Sequence, residues 1–216
     1  MLIKNQMISL SCERLGAELE GVCRYEGKAV FVPGVLPGET FEAKVLRTRS
    51  AYAYARLQKL HTVSPDRRQP FCPVYAQCGG CSGQHMAYEA TLAAKRQQVL
   101  GCLNRIGGLN LTERDVPPVL GADDPRHYRN KTSLPVGGDI ASPLLGFYRR
   151  RSHAVVPIED CPVAMGGVQG ALSAVRAWMT QNSVQPYDEE TRRGLLRHVI
   201  VRTSRSGAAL VLLVAT

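Results

Sequence analysis

Three cysteines close together in the sequence are the side chains with the clearest potential for chemistry. Cys72, Cys78 and Cys81 lie within ten residues, at a spacing that fits neither the period of a strand nor that of a helix. Two glycines separate the last pair, and glycines in a tight turn can adopt positive φ and direct backbone N–H groups at sulfur. The longer gap of five residues can wrap around a cluster rather than a single ion. The loop therefore favours an iron–sulfur site, with Cys161 as a distant candidate partner.

The remaining cysteines and the hydropathy of the chain indicate a reducing compartment. The chain has seven cysteines, an odd number for a disulfide scaffold, and residues 1–10 lack the apolar segment of a secretion signal. No apolar run is long enough to span a membrane. We therefore predict a cytoplasmic protein that makes no membrane contact. Cys12, Cys23 and Cys102 are predicted to be small core residues.

The charge of the chain indicates a polyanionic partner. Its net charge is +9, and its basic residues are clustered rather than evenly spread. Residues 126–155 hold six lysines and arginines against one acid, and residues 192–205 hold five arginines and no acid. Such clusters are typical of surfaces that bind nucleic acids, and a merely solvated basic face is the alternative.

Residues 1–63 are predicted to form a small β-barrel. Short runs with alternating apolar residues are separated by turn signals about every eight to twelve residues. Two Pro-Gly pairs, at 33–34 and 37–38, mark turns within this region. The predicted strands are residues 7–10, 20–25, 29–32, 40–46 and 52–60.

The barrel region resembles the TRAM domain, an OB-like RNA-binding barrel. The resemblance lies in residues 21–22, 29–34, 36–39 and 52–56. Independently of it, cations interleave with tyrosines in this region, a mixture that single-stranded nucleic acids favour. The alternative is that the tyrosines pack the barrel and the arginines are only solvated. The residues predicted to bind RNA here are Lys44, Arg47, Arg49, Tyr52 and Arg56.

Two further regions follow the barrel. Residues 64–110 are predicted to comprise a linker, the cysteine loop and a helix over 86–106 whose apolar face holds Leu92, Val99, Leu103 and Ile106. Residues 111–216 are predicted to form a mixed central domain, so that the whole chain belongs to the α+β class. A helix in this domain is expected to bury Val168, Leu172, Val175 and Met179. Its predicted strands are residues 129–136, 144–148, 153–158, 195–203 and 208–214, the last of them buried.

The order of barrel, cysteine loop and distant cysteine resembles the iron–sulfur RNA (uracil-C5)-methyltransferases, especially the 23S ribosomal RNA class. The resemblance implies one [4Fe-4S] cluster bound by Cys72, Cys78, Cys81 and Cys161. Structural zinc is the main alternative, but zinc usually takes two close pairs of ligands and this chain has one.

The same resemblance extends to residues 128–131 and 145–148. It implies that Arg129 and Lys131 contact RNA, and the basic cluster adds Arg149 and Arg150 to the predicted set. A basic hairpin without a partner is the alternative.

The sequence lacks the parts that would carry out methyl transfer. No glycine-rich turn follows a strand in the way that an S-adenosylmethionine site requires, and no cysteine lies in a nucleophile motif. Catalytic residues and the S-adenosylmethionine site are therefore expected only in the full-length protein. We predict that this chain is a truncated front half, monomeric and inactive alone, that binds RNA, with ribosomal RNA favoured.

Three alternatives remain from the sequence. They are a stand-alone RNA-binding adaptor with a structural metal, a tRNA-directed uracil methyltransferase, and a radical methylthiotransferase. The last family pairs TRAM with iron–sulfur, but it uses C-x3-C-x2-C and carries TRAM at the C-terminal end. The C-x5-C spacing and the N-terminal barrel of this chain therefore count against it.

Overall fold

The computed structural model describes residues 2–216, which divide into two compact units. The first unit comprises the residues up to Pro70 together with Ser82–Gly121, and the second comprises Phe71–Cys81 and Ala122–Thr216. The cysteine loop thus belongs to the second unit, whereas the helix that follows it belongs to the first. Within residues 2–216, no helix is both long and apolar enough to cross a membrane.

The first unit contains a closed five-stranded barrel. Its strand order is β1-β2-β3-β5-β4, with β3 and β5 parallel and the other neighbours antiparallel. The five predicted strands are all present. Their bounds are β1 Met7–Leu15, β2 Gly21–Tyr25, β3 Lys28–Val32, β4 Thr40–Thr48 and β5 Tyr52–Leu60.

Alternating side chains build the barrel core. In β4, Phe41, Ala43 and Val45 are fully buried, while the residues between them point outward. Cys12 and Cys23 face each other across β1 and β2 and are buried, as predicted for core residues. A hydrogen bond between their thiols lowers the pKa of Cys12 and raises that of Cys23.

A buried ion pair fixes the polar segment that follows the barrel. The guanidinium of Arg67 donates to both carboxylate oxygens of Glu39, at 2.5 and 2.6 Å, and the Glu39 side chain is fully buried. The amides of Leu36 and Ser64 also donate to this carboxylate. Burial raises the pKa of Glu39, but these four hydrogen bonds outweigh it and hold the pKa below its usual value. The segment predicted as a linker is therefore anchored to the barrel.

Helix α1, Tyr88–Arg105, lies within the predicted range, but its predicted apolar face is only partly buried: Leu92 and Leu103 are half-buried, and the other two residues are exposed. Val99 is half exposed and Ile106, just beyond the helix, is 85% exposed. A polar contact also joins the helix to the segment after β1: the side chain of Gln98 donates to the Gly16 carbonyl at 2.7 Å. Cys102, predicted to pack in a core, is exposed.

The second unit is an antiparallel sheet with one helix packed on it. The sheet order is β10-β9-β6-β7-β8. Helix α2, Val168–Gln181, buries the four residues predicted for its apolar face. The strands are β6 Lys131–Gly138, β7 Pro143–Tyr148, β8 Val155–Pro157, β9 Leu196–Thr203 and β10 Ala209–Ala215.

The last strand contradicts the prediction that it is buried. All seven residues of β10 are exposed, and Leu210 is 59% exposed. The strand lies at the edge of the sheet and pairs only with β9 among the described residues. Its apolar run has the composition of a buried strand, but nothing in residues 2–216 buries it.

The candidate cysteine centre and its basic hairpin

Local turns shape the cysteine loop. The amide of Tyr75 donates to the Cys72 carbonyl at 3.1 Å, and the amide of Cys78 donates to the Val74 carbonyl at 2.8 Å. The amide of Gly80 donates to Cys78 Sγ at 3.3 Å, which is the N–H···S contact predicted from the glycines. Neither glycine of the turn is among the residues with positive φ, so the predicted left-handed backbone is wrong.

The structure brings the four predicted ligand cysteines into one region of the second unit. Cys161 is buried in the core beneath the sheet, and Cys81 packs against that core. Burial raises the pKa of the Cys78 thiol, and the Gly80 amide opposes this effect. The neighbouring Cys81, Cys72 and Cys161 raise that pKa further, because like charges disfavour ionisation. Within residues 2–216, no group of three or more Cys, His, Asp or Glu side chains is arranged so as to hold a metal ion.

The donor chemistry of these cysteines fits an iron–sulfur cluster. Clusters of this kind take four cysteine thiolates and are tuned by hydrogen bonds to sulfur and by burial. The loop supplies one such hydrogen bond through Gly80, and the apolar side chains Val74 and Phe147 pack beside the same core as Cys81. The four cysteines are thus of the type and number that such a cluster takes, but within residues 2–216 they are not arranged to hold a metal.

The cysteine loop is attached to the end of β7 by backbone contacts. The amide of Gly79 donates to the Tyr148 carbonyl at 2.9 Å, and Cys78 forms an isolated antiparallel bridge with Arg149. A Cβ atom on Gly79 would lie 2.7 Å from the Tyr148 oxygen. Position 79 therefore requires glycine because of close approach between two backbones rather than because of φ.

Arg150 adds a side-chain contact to this attachment. Its Nε donates to the Cys78 carbonyl at 3.4 Å, and its Nη2 donates to the Cys81 carbonyl. Its guanidinium lies 5.4 Å from the centre of the Tyr75 ring. Arg150 was predicted to bind RNA, but its donors face the cysteine loop.

An open cleft of about 520 Å³ lies over the loop and the hairpin between β7 and β8. It is lined by Gly79, Gly80 and residues 147–153, among which are three consecutive arginines. The rings of Tyr148 and His153 lie 5.3 Å apart at this cleft. Guanidinium groups beside flat rings suit an anionic ligand with aromatic parts, such as a nucleotide.

The other basic residues predicted in this unit have different surroundings. Arg129 is half-buried, and its backbone bonds to residues 163 and 165, just after Cys161. Lys131 is exposed at the start of β6, where its register partner on β9 is Arg202. Arg149 is exposed and reaches Gln77 Oε1 at 3.5 Å. The structure thus brings Arg129 and Arg149 to segments that adjoin the cysteines.

The outer face of the barrel carries an aromatic cluster. The rings of Phe31, Tyr52 and Tyr54 lie 5.5 to 5.8 Å from one another. Lys44 and Arg56 are direct cross-strand partners, and Arg47 is paired with Tyr54. Phe31 was not among the residues predicted for this surface. Phe31 points outward because Val30 and Val32 on either side of it are buried, but the uniformly apolar run 29–32 does not show in the sequence which side chains face the core.

Residues 5–57 match the TRAM domain family. The chain contains a TRAM domain. This domain coincides with most of the closed barrel, so the predicted resemblance of the barrel region is confirmed.

The whole chain is also similar to bacterial proteins named as uncharacterized RNA methyltransferases. One from Listeria monocytogenes serotype 4b is 38% identical over 216 residues, which is all of this chain and 47% of that protein. One from Halalkalibacterium halodurans is 36% identical over 213 residues, or 99% of this chain and 46% of that protein. The chain thus spans about half the length of the curated relatives that it matches.

A solved structure shares the fold of the TRAM domain and the second unit. It is the Pyrococcus abyssi tRNA (uracil-54, C5)-methyltransferase in complex with S-adenosyl-L-homocysteine. The TM-score is 0.70 at 24% identity, and the match covers 96% of this chain and 46% of the other. The predicted α+β class, with an OB-like barrel followed by a mixed domain, is confirmed.

Proposed function

We propose that this chain is the RNA-binding and cluster-binding part of a longer, S-adenosylmethionine-dependent RNA (uracil-C5)-methyltransferase. The observation that carries the proposal is the attachment of the loop that contains Cys72, Cys78 and Cys81 to a basic hairpin, in a chain that also contains a TRAM domain. The names of the relatives, and the S-adenosyl-L-homocysteine bound in the structural neighbour, support the same reaction class. Methyl transfer itself is assigned to residues outside these 216.

The TRAM barrel would bind single-stranded RNA through its aromatic cluster. Phe31, Tyr52 and Tyr54 offer ring faces for stacked bases, and stacking does not depend on sequence. Like charges on directly opposed strand positions destabilise a sheet, so the Lys44–Arg56 pair favours a phosphate between them. Arg47 and Arg49 are exposed on the same part of the barrel and would extend the path of the RNA backbone.

In the second unit, Cys72, Cys78, Cys81 and Cys161 would hold a [4Fe-4S] cluster. When bound, the cluster would supply metal–thiolate bonds that link the loop to a segment about eighty residues later, as a structural metal does. Arg149 would contact phosphates at the cleft that it lines, and Arg129 and Lys131 would contact phosphates elsewhere on the same unit. Reduced thiols are compatible with the cytoplasm, where we place the protein as a monomer.

Two RNA classes are candidates for the substrate. The resemblance of the chain to the 23S ribosomal RNA class of these enzymes favours 23S ribosomal RNA. A tRNA substrate is the second candidate, because the structural neighbour acts on uracil 54 of tRNA. Both are read through unpaired bases, so both are compatible with the same surfaces.

The proposal is tested with the purified chain. We expect about four iron and four sulfide per chain after anaerobic purification, as the cluster stoichiometry requires. Crosslinking to total RNA should recover ribosomal RNA, whereas enrichment of tRNA would select the second candidate. The chain alone should transfer no methyl group. Methyl transfer by these 216 residues, or the absence of RNA binding, would overturn the proposal.

A further inference from the structure

Arg150 differs in its surroundings from the two arginines beside it. Arg149 and Arg151 are exposed, whereas Arg150 is half-buried and directs its guanidinium toward the cysteine loop. An arginine that merely bound RNA would keep its donors available to solvent and phosphate. Arg150 instead uses its donors within the protein.

We propose that Arg150 is a positioning residue that holds the cysteine loop on the basic hairpin, and so couples cluster binding to RNA affinity. The inference rests on the proposed function and assigns Arg150 a role that replaces its predicted contact with RNA. Two contacts carry it. One guanidinium reaches the carbonyls of both Cys78 and Cys81, and thus spans the whole turn between these two proposed ligands.

The shape of the arginine side chain matters for this role. A guanidinium is a planar fork with several fixed donors, so it can bond two carbonyls at once and still stack on a ring. Arg150 does both, since Tyr75 lies beneath it within the same loop. A lysine at this position would keep the charge but lose the planar set of donors that reaches both carbonyls.

Backbone contacts make the coupling mutual. The Gly79 amide bonds to the Tyr148 carbonyl, and Cys78 bridges Arg149. The conformation of the loop that binds the cluster is therefore the same conformation that fixes the start of the hairpin. A ligand that stabilises one arrangement stabilises the other, and linkage requires the effect to act in both directions. Loss of the cluster should free the loop and leave Arg149 and Arg151 less well placed for RNA.

The test compares the full chain with its Arg150→Gln, Arg150→Lys and Arg151→Gln variants. Two quantities are measured for each. The first is the half-life of the visible absorbance of the cluster under an iron chelator, and the second is the RNA dissociation constant with and without the cluster. Circular dichroism of each variant verifies that it is folded. Arg151→Gln is the matched control because it removes the same charge from the same hairpin.

We expect the cluster of the wild-type chain to tighten RNA binding by about tenfold, within the usual range of coupling between sites. In Arg150→Gln the ratio of the RNA dissociation constants without and with the cluster should fall to about one to two. The half-life of the cluster should shorten severalfold. Arg150→Lys should resemble Arg150→Gln, because the fork is lost although the charge is kept. Arg151→Gln should weaken RNA binding but keep both the ratio and the half-life.

Three results would overturn the inference. If both Arg150 variants kept the wild-type ratio of dissociation constants and the wild-type cluster half-life, the contacts of Arg150 with the Cys78 and Cys81 carbonyls would not be needed. Full rescue by lysine would show that charge alone acts. Equal effects of Arg150→Gln and Arg151→Gln on cluster lifetime would show a general electrostatic effect of the hairpin. Failure of the wild-type chain to bind iron or RNA is a separate result, because it would refute the proposed function and this inference together.

Discussion

The aromatic face of the TRAM barrel and the cysteine centre of the second unit are built in opposite ways. Phe31, Tyr52 and Tyr54 point outward because their neighbours along each strand point inward, so local alternation alone determines their side. The cysteine centre combines residues 72–81 with residues 148–150 and 161, which meet only through folding. A surface built from local alternation should tolerate single changes better than a centre built from distant segments.

Removal of the distant cysteine should have the largest effect. Cys161→Ala deletes one of four proposed ligands, and we expect iron content to fall from about four per chain to nearly none. Binding of RNA by the barrel should persist, because the aromatic cluster lies in the other unit. Iron and sulfide analysis measures the effect, with the exposed Cys102→Ala as the control. Equal iron loss in both variants would contradict the assignment.

The stability of the barrel unit also depends on a contact between residues distant in the sequence, the Glu39–Arg67 ion pair. Breaking a buried pair leaves a charge unpaired, so Glu39→Gln should destabilise the first unit by about 3 kcal/mol. Calorimetric unfolding at neutral pH measures this, and Glu42→Gln, at an exposed pair with His61, should have little effect. A similar loss in both variants would refute a special role for the buried pair.

The same pair predicts an acid-labile barrel. The pKa of Glu39 in the folded state lies below its ordinary value of about 4.3. Its contribution to stability is therefore complete above that value and is lost as the pH falls through the folded pKa. Melting temperatures between pH 3 and pH 7 should show this decline in the wild type but not in Glu39→Gln. Parallel curves for the two proteins would show that other carboxylates cause the decline.

Gly79→Ala should weaken the attachment of the cysteine loop to the hairpin. The new Cβ would lie 2.7 Å from the Tyr148 oxygen, so the loop or the hairpin must shift, at a cost of about 1 to 3 kcal/mol. We expect a shorter cluster lifetime and weaker RNA binding by the second unit. Gly166→Ala is the matched control, because nothing lies within 4 Å of its Cβ. A cluster lifetime unchanged by Gly79→Ala would show that the close approach is not needed.

Truncation on the aromatic face should have the smallest effect on the molecule as a whole. Phe31→Ala removes one stacking ring, and RNA affinity should weaken by about 1 kcal/mol, the lower end for one stacked base. Phe31→Tyr keeps a ring and should bind like the wild type. Titration with a single-stranded oligonucleotide distinguishes them. Stability and iron content should not change in either variant. Unchanged RNA affinity in Phe31→Ala would show that Phe31 is not part of the RNA-binding surface.

The predictions of burial for β10 and for one face of α1 failed because burial depends on which elements lie next to a segment in the folded chain. The apolar run in β10 has the composition of a buried strand, yet β10 is exposed because it is the edge strand of its sheet. The apolar face assigned to α1 failed at Val99 and Ile106, because no neighbouring element covers these two side chains within residues 2–216. Composition indicates what a segment could bury, but the position of its neighbours decides whether it is buried.

The sequence by itself determined the barrel strands, the buried face of α2 and the cysteine loop, because alternation, helical period and glycine spacing act over a few residues. Only the tertiary structure decided that Glu39 pairs with Arg67 and that Gly79 must be small. It also decided that Arg150 faces the cysteines rather than solvent. The physical reason is that each of these contacts joins residues about thirty to seventy positions apart, and no local pattern records which distant backbone a side chain will meet.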